Sequence, residues 1–306
     1  MARLAIGSGI RALASLLAVS LGAFLLIALM PADPVMIAIR AWNLAPTEET
    51  VAALRENWGL DRSLPERYVI WLTGFVAGDW GLSFRTGEPV LTEFLRRLPL
   101  SVGVGVSGLL LAIALSVPLG LAAAQRPGGF ADRFSRLIAI SVQAVPAFWI
   151  GLVAIWLLGV HLQIVRPFSG GPSIVAIATA IIALHSMGVL SRVYRKDMLE
   201  QASRPHFRTA LAKGLSRHQA LWHHCHRSAF FALLAAVRSE AGWVIGSTAT
   251  LEVLFGLPGI SQFLVQSIAV RDYHVLIAYV MVVAGWMLLM NAILQFAMRR
   301  LDPRHA

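Results

Sequence analysis

The sequence predicts an all-α integral membrane protein with six transmembrane helices. Of its 306 residues, 57% are hydrophobic and only 14% are charged, whereas roughly 25% of the residues of an average soluble domain are charged. The apolar residues are concentrated in stretches of about the 20 residues that a helix needs to cross a bilayer. These stretches cover 12–30, 100–124, 137–160, 173–190, 229–250 and 275–298.

The first apolar stretch shares features with a cleavable signal peptide, because Arg3 and Arg11 precede it. The sequence MPADP that ends and follows it contains no small-x-small cleavage pattern, however. We therefore expect residues 1–30 to form an N-terminal tail and a retained first transmembrane helix.

Residues 31–97 are polar and predict a lobe outside the membrane, between the first and second transmembrane helices. The stretch TEETVAALRENWGL within it favours a helix, since Glu48 and Glu49 in the first turn suit the helix dipole. The remaining residues, 98–306, then form a core of five transmembrane helices.

Basic residues are concentrated in the loop 125–136, in the segment 191–228 and in the C-terminal tail. A six-helix topology places all of these, with both termini, on one side of the membrane. Short loops rich in Lys and Arg are typical of the cytoplasmic side, so we expect the lobe to lie on the outside. Basic residues in cytoplasmic loops therefore explain the formal charge of +10. We expect membrane lipid as a partner and no nucleic acid.

The segment 203–230, SRPHFRTALAKGLSRHQALWHHCHRSAF, predicts two short helices joined at a glycine. Ser203 is a candidate N-cap for the first helix, and Gly214 suits the left-handed residue that ends it. Ser216 and Gln219 form a capping-box pattern for the second helix.

This helical hairpin at 203–222 has three possible roles. The first is a solvated basic loop without a specific task, and the second is a docking element for a soluble partner. Phe207, Ala210 and Leu211 support docking, because their i, i+3, i+4 spacing forms a small apolar face. The third role, a DNA-binding helix-turn-helix, conflicts with the membrane helices only a few residues away.

The hairpin sequence resembles the cytoplasmic EAA-type loop of ABC importer permeases, most closely those of the peptide- and nickel-type class. The resemblance covers nearly the whole chain. The matching fragments are MPADP, WGLDRSLPERY, GDWGLSFRTGEPV, RRLP, VPAFWIG, LEVLFGLPG, RDY and LDPR.

The resemblance implies a permease subunit of the bacterial inner membrane, with cytoplasmic termini. A second permease, identical or homologous, would complete the solute path, two ATPases would bind below, and an extracytoplasmic solute-binding protein would deliver cargo. The residues that it implies for ATPase docking are Phe207, Ala210, Leu211, Gly214 and Leu215.

The sequence contains no G-x-x-x-x-G-K-[ST] loop for nucleotide phosphates. We therefore expect ATP to be bound by a partner subunit. We also expect no cofactor, no metal and no catalytic residue in this chain. The resemblance implies peptide, nickel or a metal chelate as cargo, and the lobe sequence at 43–68 is rather closer to nickel-type members.

Arg238 and Glu240 are charged residues in the middle of the fifth apolar stretch. A central Arg costs roughly 2.5 to 3.5 kcal/mol on insertion scales and an acidic residue a similar amount. The seven Phe, Leu, Ile and Val residues of the stretch return only about 3 kcal/mol. The two charges therefore avoid lipid and either pair with other helices or line the solute path or a helix seam.

Three further features of the apolar stretches have both structural and functional interpretations. Pro146 predicts a kink or a hinge in the third. His185 in the fourth is a candidate path residue, and its own chemistry favours a hydrogen-bonded packing residue over a metal ligand. Gly242 and Gly246 predict close helix packing. Outside the stretches, His218, His223, His224 and His226 predict a solvated face rather than a metal site.

An intramembrane serine protease is the alternative function. Gly105, Ser107 and Gly108 match the G-x-S-G pattern of rhomboid-like proteases, and His185 lies two predicted helices later as a possible base. Small residues are common at membrane helix contacts, however, so this pattern also arises without catalysis.

Overall fold

The computed structural model describes residues 2–29 and 33–301. Within these ranges the chain forms α-helices, one π-helical segment and no strand, and two extended residues, Leu82 and Pro89, form an isolated antiparallel bridge. The all-α class is thus confirmed. The first seven α-helices are α1 Ala2–Ala28, α2 Pro34–Ala41, α3 Glu48–Asn57, α4 Leu64–Ala77, α5 Val90–Gln125, α6 Phe130–Ala144 and α7 Ala147–Ala154. The π-helical segment Ile155–His161 follows, and then α8 Pro172–Ala202, α9 Pro205–Ala212, α10 Arg217–His224, α11 His226–Phe255, α12 Ile260–Ala269 and α13 Tyr273–Leu301.

Five helices among the described residues are long and apolar enough to cross a membrane, namely α1, α5, α8, α11 and α13. A sixth span arises if α6 and α7 with its π-helical extension count as one, although they meet at an angle of 97°. Five of the six predicted spans are thus recovered as continuous helices. Helix α8 continues twelve residues past the predicted end at 190, into the basic segment. Met30, predicted to end the first span, lies outside the described residues.

The third predicted span is broken rather than kinked. Val145 is extended, with φ −108° and ψ 122°, and Pro146 precedes the first residue of α7. A residue before proline is driven out of the helical region, and proline has no N–H to continue the ladder. The single helix predicted for 137–160 is therefore two helices separated at Pro146.

One compact unit comprises residues 1–99 and 259–288. It contains the segment predicted as a lobe. Its helix α3 has Glu48 and Glu49 in the first turn, as predicted. The side chain of Thr47 caps this helix by accepting a hydrogen bond from the Thr50 amide at 3.2 Å. An apolar cluster at the start of α5 includes Phe94 and Phe263, and Arg97 lies 4.4 Å from the Phe263 ring centroid.

The second unit comprises residues 100–258 and 289–306. Helix α8 lies at its centre and packs against α6, α7 and α11. Helix α5 approaches α8 closely at Gly120, where a Cβ atom would lie 2.9 Å from both the Ser191 carbonyl oxygen and the Tyr194 ring. The helical hairpin at 203–222 packs against this core, and the polar residues of α11 lie on one of its helices.

Candidate coupling and translocation sites

The junction of the hairpin forms as the sequence predicts. Gly214 has φ +87°, in the left-handed region, and its amide donates to the Leu211 carbonyl at 2.9 Å. Ser216 and Gln219 form the capping box that begins α10. Local sequence therefore sets the turn between α9 and α10, since glycine adopts this conformation at low cost.

The start of the hairpin differs from the prediction. Arg204, not Ser203, is the N-cap residue of α9. Ser203 ends α8 instead, and its hydroxyl donates to the Glu200 carbonyl at 2.7 Å. Because α8 extends to Ala202, the Ser203 hydroxyl binds a carbonyl in the last turn of α8 and does not cap α9.

The residues predicted for docking lie on two sides of the hairpin. Phe207 and Ala210 are 2% and 3% exposed and belong to the core of the second unit. Leu211 is 39% exposed, Gly214 is exposed, and Leu215 is half-buried. The apolar face of α9 therefore anchors the hairpin to its own protein, while its opposite side is open.

Polar contacts tie the hairpin to the end of α5. Arg217 donates to the Ala124 carbonyl at 3.3 Å and lies 6.0 Å from the Phe207 ring centroid. The side chains of Gln125 and His218 are also in hydrogen-bond contact. These bonds and the buried face of α9 link the hairpin to the helices of the second unit.

The histidines of the hairpin do not form one solvated face. His218, His223 and His224 are exposed, but His226 is half-buried and its Nδ1 lies 2.5 Å from the hydroxyl of Tyr194. The His226 ring also stacks on Trp222 at 4.2 Å. The expectation was wrong for His226, because α11 begins there and turns this side chain toward α8.

Cys225 lies at the break between α10 and α11 and is fully buried. Burial in apolar surroundings raises the pKa of its thiol to about 11, since the thiolate would lose its hydration. The thiol is therefore protonated at physiological pH and packs as a small apolar side chain.

An ion-pair cluster that the sequence did not indicate joins α6 to α8. Asp132 is fully buried, and its carboxylate accepts hydrogen bonds from Arg195 at 3.0 Å and from the Gly128 amide at 2.7 Å. Arg136, one turn further along α6, contacts the same carboxylate at 2.5 Å. The partners Asp132 and Arg195 are 63 residues apart, so no local pattern reveals them.

Arg238 and Glu240 lie on different sides of α11, as their spacing predicts. Glu240 is buried and accepts a hydrogen bond from Ser186 of α8 at 3.0 Å. Arg238 is exposed at the protein surface, and its Nε donates to the Asn291 side chain of α13 at 2.6 Å. Both partners are neutral, so neither charge is compensated by an opposite charge through these bonds.

His185 packs against α11 through its ring. It is half-buried and stacks on Trp243 with 3.6 Å between the ring centroids and an interplanar angle of 6°. His185 therefore makes a packing contact with α11, and it is followed in the sequence by Ser186, which donates to Glu240.

Helix α11 presents a stripe of small and polar residues on one exposed face. The stripe contains Arg238, Ser239, Gly246 and Thr250. A Cβ atom added at Gly246 would meet no atom within 4 Å, so close packing within the chain does not explain this glycine. A face with an arginine is poorly matched to hydrocarbon.

The serine of the G-x-S-G pattern makes its shortest hydrogen bond within its own helix, α5. The Ser107 hydroxyl donates to the Gly103 carbonyl at 2.6 Å, and its other polar neighbours are the Val104 carbonyl and the Thr179 hydroxyl. His185 stacks on Trp243 instead. This arrangement gives the protease alternative no support.

Comparison with known proteins identifies related transport proteins over most of the chain. The family model described as "Binding-protein-dependent transport system inner membrane component" matches residues 116–306. A second model, for the N-terminal part of such membrane components, matches residues 1–105.

Individual relatives carry the names of peptide permeases. The chain is 32% identical over 291 residues to a probable peptide ABC transporter permease, y4tP, of Sinorhizobium fredii, covering 92% of each chain. It is 27% identical over 318 residues to the dipeptide transport system permease DppB of Escherichia coli, covering 94% of this chain and 93% of that one. DppB of Lactococcus lactis is 29% identical over 284 residues, covering 92% and 91%.

Proposed function

The chain belongs to the family of inner membrane components of binding-protein-dependent transport systems, and on that premise we propose that it imports short peptides as one of two permeases of an ABC importer. The observation that carries this proposal is the similarity, along more than nine-tenths of each chain, to peptide and dipeptide permeases. Nickel or a metal chelate, which the lobe sequence favoured, stays an untested alternative.

The importer needs partners that supply energy and cargo. Two separate ATPases hydrolyse ATP, because this sequence has no phosphate-binding loop of its own. An extracytoplasmic binding protein delivers the peptide, and a second permease, identical or homologous, completes the path. The basic segments predict that the hairpin and both termini face the cytoplasm.

The hairpin couples the ATPases to the permease. Its exposed side, which includes Leu211 and Gly214, is the surface that an ATPase groove would hold. Phe207 and Ala210 lie beneath that surface and fix the hairpin to the core. A displacement of the hairpin would therefore move α8 and α11 with it, since packed interiors transmit displacement.

The exposed stripe of α11 lines the solute path or the seam with the second permease. Arg238 supports this assignment, because a guanidinium that is exposed on the single chain needs water or a polar partner in the assembled membrane protein. A cation on the path is also suited to bind the carboxylate of a peptide.

Cysteine cross-linking tests the docking surface. Cys225 is the single cysteine, so Cys225→Ala gives a background in which Leu211→Cys is the only thiol. We expect Leu211→Cys to cross-link to the ATPase, and Ala45→Cys, on the exposed surface of the other unit, to give no such product. Failure of Leu211→Cys to capture an ATPase in the assembled transporter, or its labelling from outside the cell, would refute the proposal.

A further inference from the structure

The first unit contains a cavity that plays no part in the proposed coupling or translocation. Its volume is about 550 Å³, within the range of small-molecule sites. Its lining comes from the ends of α1 and α3, the loop 58–62 that follows α3, α4 between residues 67 and 74, residues 79–84 and the start of α13.

Aromatic side chains make up a large part of the cavity lining, and six of them are here called the aromatic wall. Its members are Trp58, Trp71, Trp80, Phe84, Tyr273 and His274. Trp58 stacks on Phe84 at 5.3 Å, and the indole N–H of Trp80 donates to the Phe75 carbonyl at 3.1 Å. These contacts hold the rings in place before any ligand arrives.

Three acidic and three basic side chains also line the cavity. Asp33 and Arg55 form an ion pair with each other at 2.5 Å. Arg62, Arg67 and Asp61 make no ion pair within 4.0 Å in the part of the chain that the structure describes. Charges of both signs are therefore available in a lining whose formal charge sums to zero.

Tyr273 adds a polar group without a partner. Its side chain is 7% exposed and lines the cavity, and its buried hydroxyl has no hydrogen-bond partner among the described residues. Buried hydroxyls are normally hydrogen-bonded, so an unpaired one beside a cavity indicates a ligand or water.

We propose that this cavity binds a small zwitterion. The ammonium group of the ligand lies against the aromatic wall near Asp61, where ring faces and a carboxylate attract a cation. Its acidic group lies at Arg62 and Arg67, whose guanidinium groups match a carboxylate or phosphate.

Two sources supply this chemistry. One is a short peptide with free termini, and this form of the proposal rests on the proposed function. The other is the head group of a zwitterionic lipid, which has access because Phe24 and Ile27 of α1 and Ile277 of α13 border the cavity. Both present an ammonium and an acid a few atoms apart.

Calorimetry on the full chain, in nanodiscs of phosphatidylglycerol, separates these sources. We expect dialanine to bind saturably and N-acetyl-dialanine amide, which lacks both charges, not to bind. The double variant Arg62→Gln with Arg67→Gln should bind at least tenfold more weakly, and Asp61→Asn should weaken binding as well. Arg40→Gln, an exposed arginine of the same unit outside the cavity lining, is the matched control and should bind normally.

Native mass spectrometry of the chain in mixed lipids tests the other source. Retention of phosphatidylethanolamine by the wild type and by Arg40→Gln, with loss from the double variant, supports the lipid form. The proposal is overturned if neither zwitterion binds, if the blocked peptide binds equally, or if the double variant matches the wild type. These experiments measure binding and not transport. A chain that binds neither zwitterion could therefore still import peptides. Conversely, a chain that fails to import peptides could still bind a zwitterion in this cavity.

Discussion

Arg195 lies 2.6 Å from the fully buried carboxylate of Asp132, and this ion pair joins the cytoplasmic end of α8, by the predicted topology, to the first turn of α6. Two further donors, Arg136 and the Gly128 amide, share the same carboxylate. The hairpin follows α8 directly. The pair therefore fixes the base from which the hairpin projects.

Asp132→Ala should destabilise the second unit by about 2 kcal/mol, the scale of a hydrogen bond to a charged group. The cost is moderated because Arg195 is 20% exposed and can recover some hydration. Thermal unfolding in detergent measures this loss of stability. Arg136→Gln is the control and should destabilise the unit less, since that arginine is 56% exposed and its guanidinium stays largely hydrated and screened. Equal effects of the two substitutions would contradict the assigned role of the buried pair.

Leu211→Asp should uncouple ATP hydrolysis from peptide uptake while leaving the protein folded. The side chain is 39% exposed, so a carboxylate there stays hydrated but disrupts an apolar contact with a partner. We expect uptake to fall at least tenfold, with ATPase activity retained, in reconstituted vesicles. Normal coupling in this variant would count against the docking surface.

Phe207→Asp is the companion variant. The family resemblance assigns Phe207 to the docking surface, which would make this variant uncouple in the same way, but the side chain is 2% exposed. Burying a carboxylate in this apolar site should lower thermal stability or assembly as well, because an unpaired buried charge is costly. A stable, fully assembled Phe207→Asp transporter would show that the hairpin does not pack as described.

The sequence was sufficient for features that depend on neighbouring residues. The membrane helices follow from apolar runs, and Gly214 and Ser216 mark the hairpin turn by their own conformational preferences. It was insufficient where distant residues decide the outcome. Whether Phe207 faces a partner or its own core depends on α8 and α11, and the Asp132–Arg195 pair spans 63 residues.

Arg238→Ala should reduce peptide uptake about tenfold without loss of assembly, if the exposed stripe of α11 lines the path. Arg238→Lys keeps the charge and should retain more uptake than the alanine variant. Asn291→Ala removes only the hydrogen-bond partner and should have the smaller effect. Uptake by Arg238→Ala equal to that of the wild type would exclude a role on the path and leave helix packing as the explanation.

Alkylation of Cys225 should be slow at pH 8 and should accelerate as the pH rises toward 11. The thiolate is the reactive form, and burial raises the pKa of this thiol to about 11, against roughly 8.5 to 9 for a free thiol. The thiolate fraction at pH 8 is thus lower by a factor of about 100 or more, since each pKa unit is tenfold. Maleimide labelling followed by mass spectrometry measures the rate, and Leu211→Cys in the Cys225→Ala background is the exposed control. Rapid labelling of Cys225 at pH 8 would mean that the break between α10 and α11 opens to solvent, which its complete burial argues against.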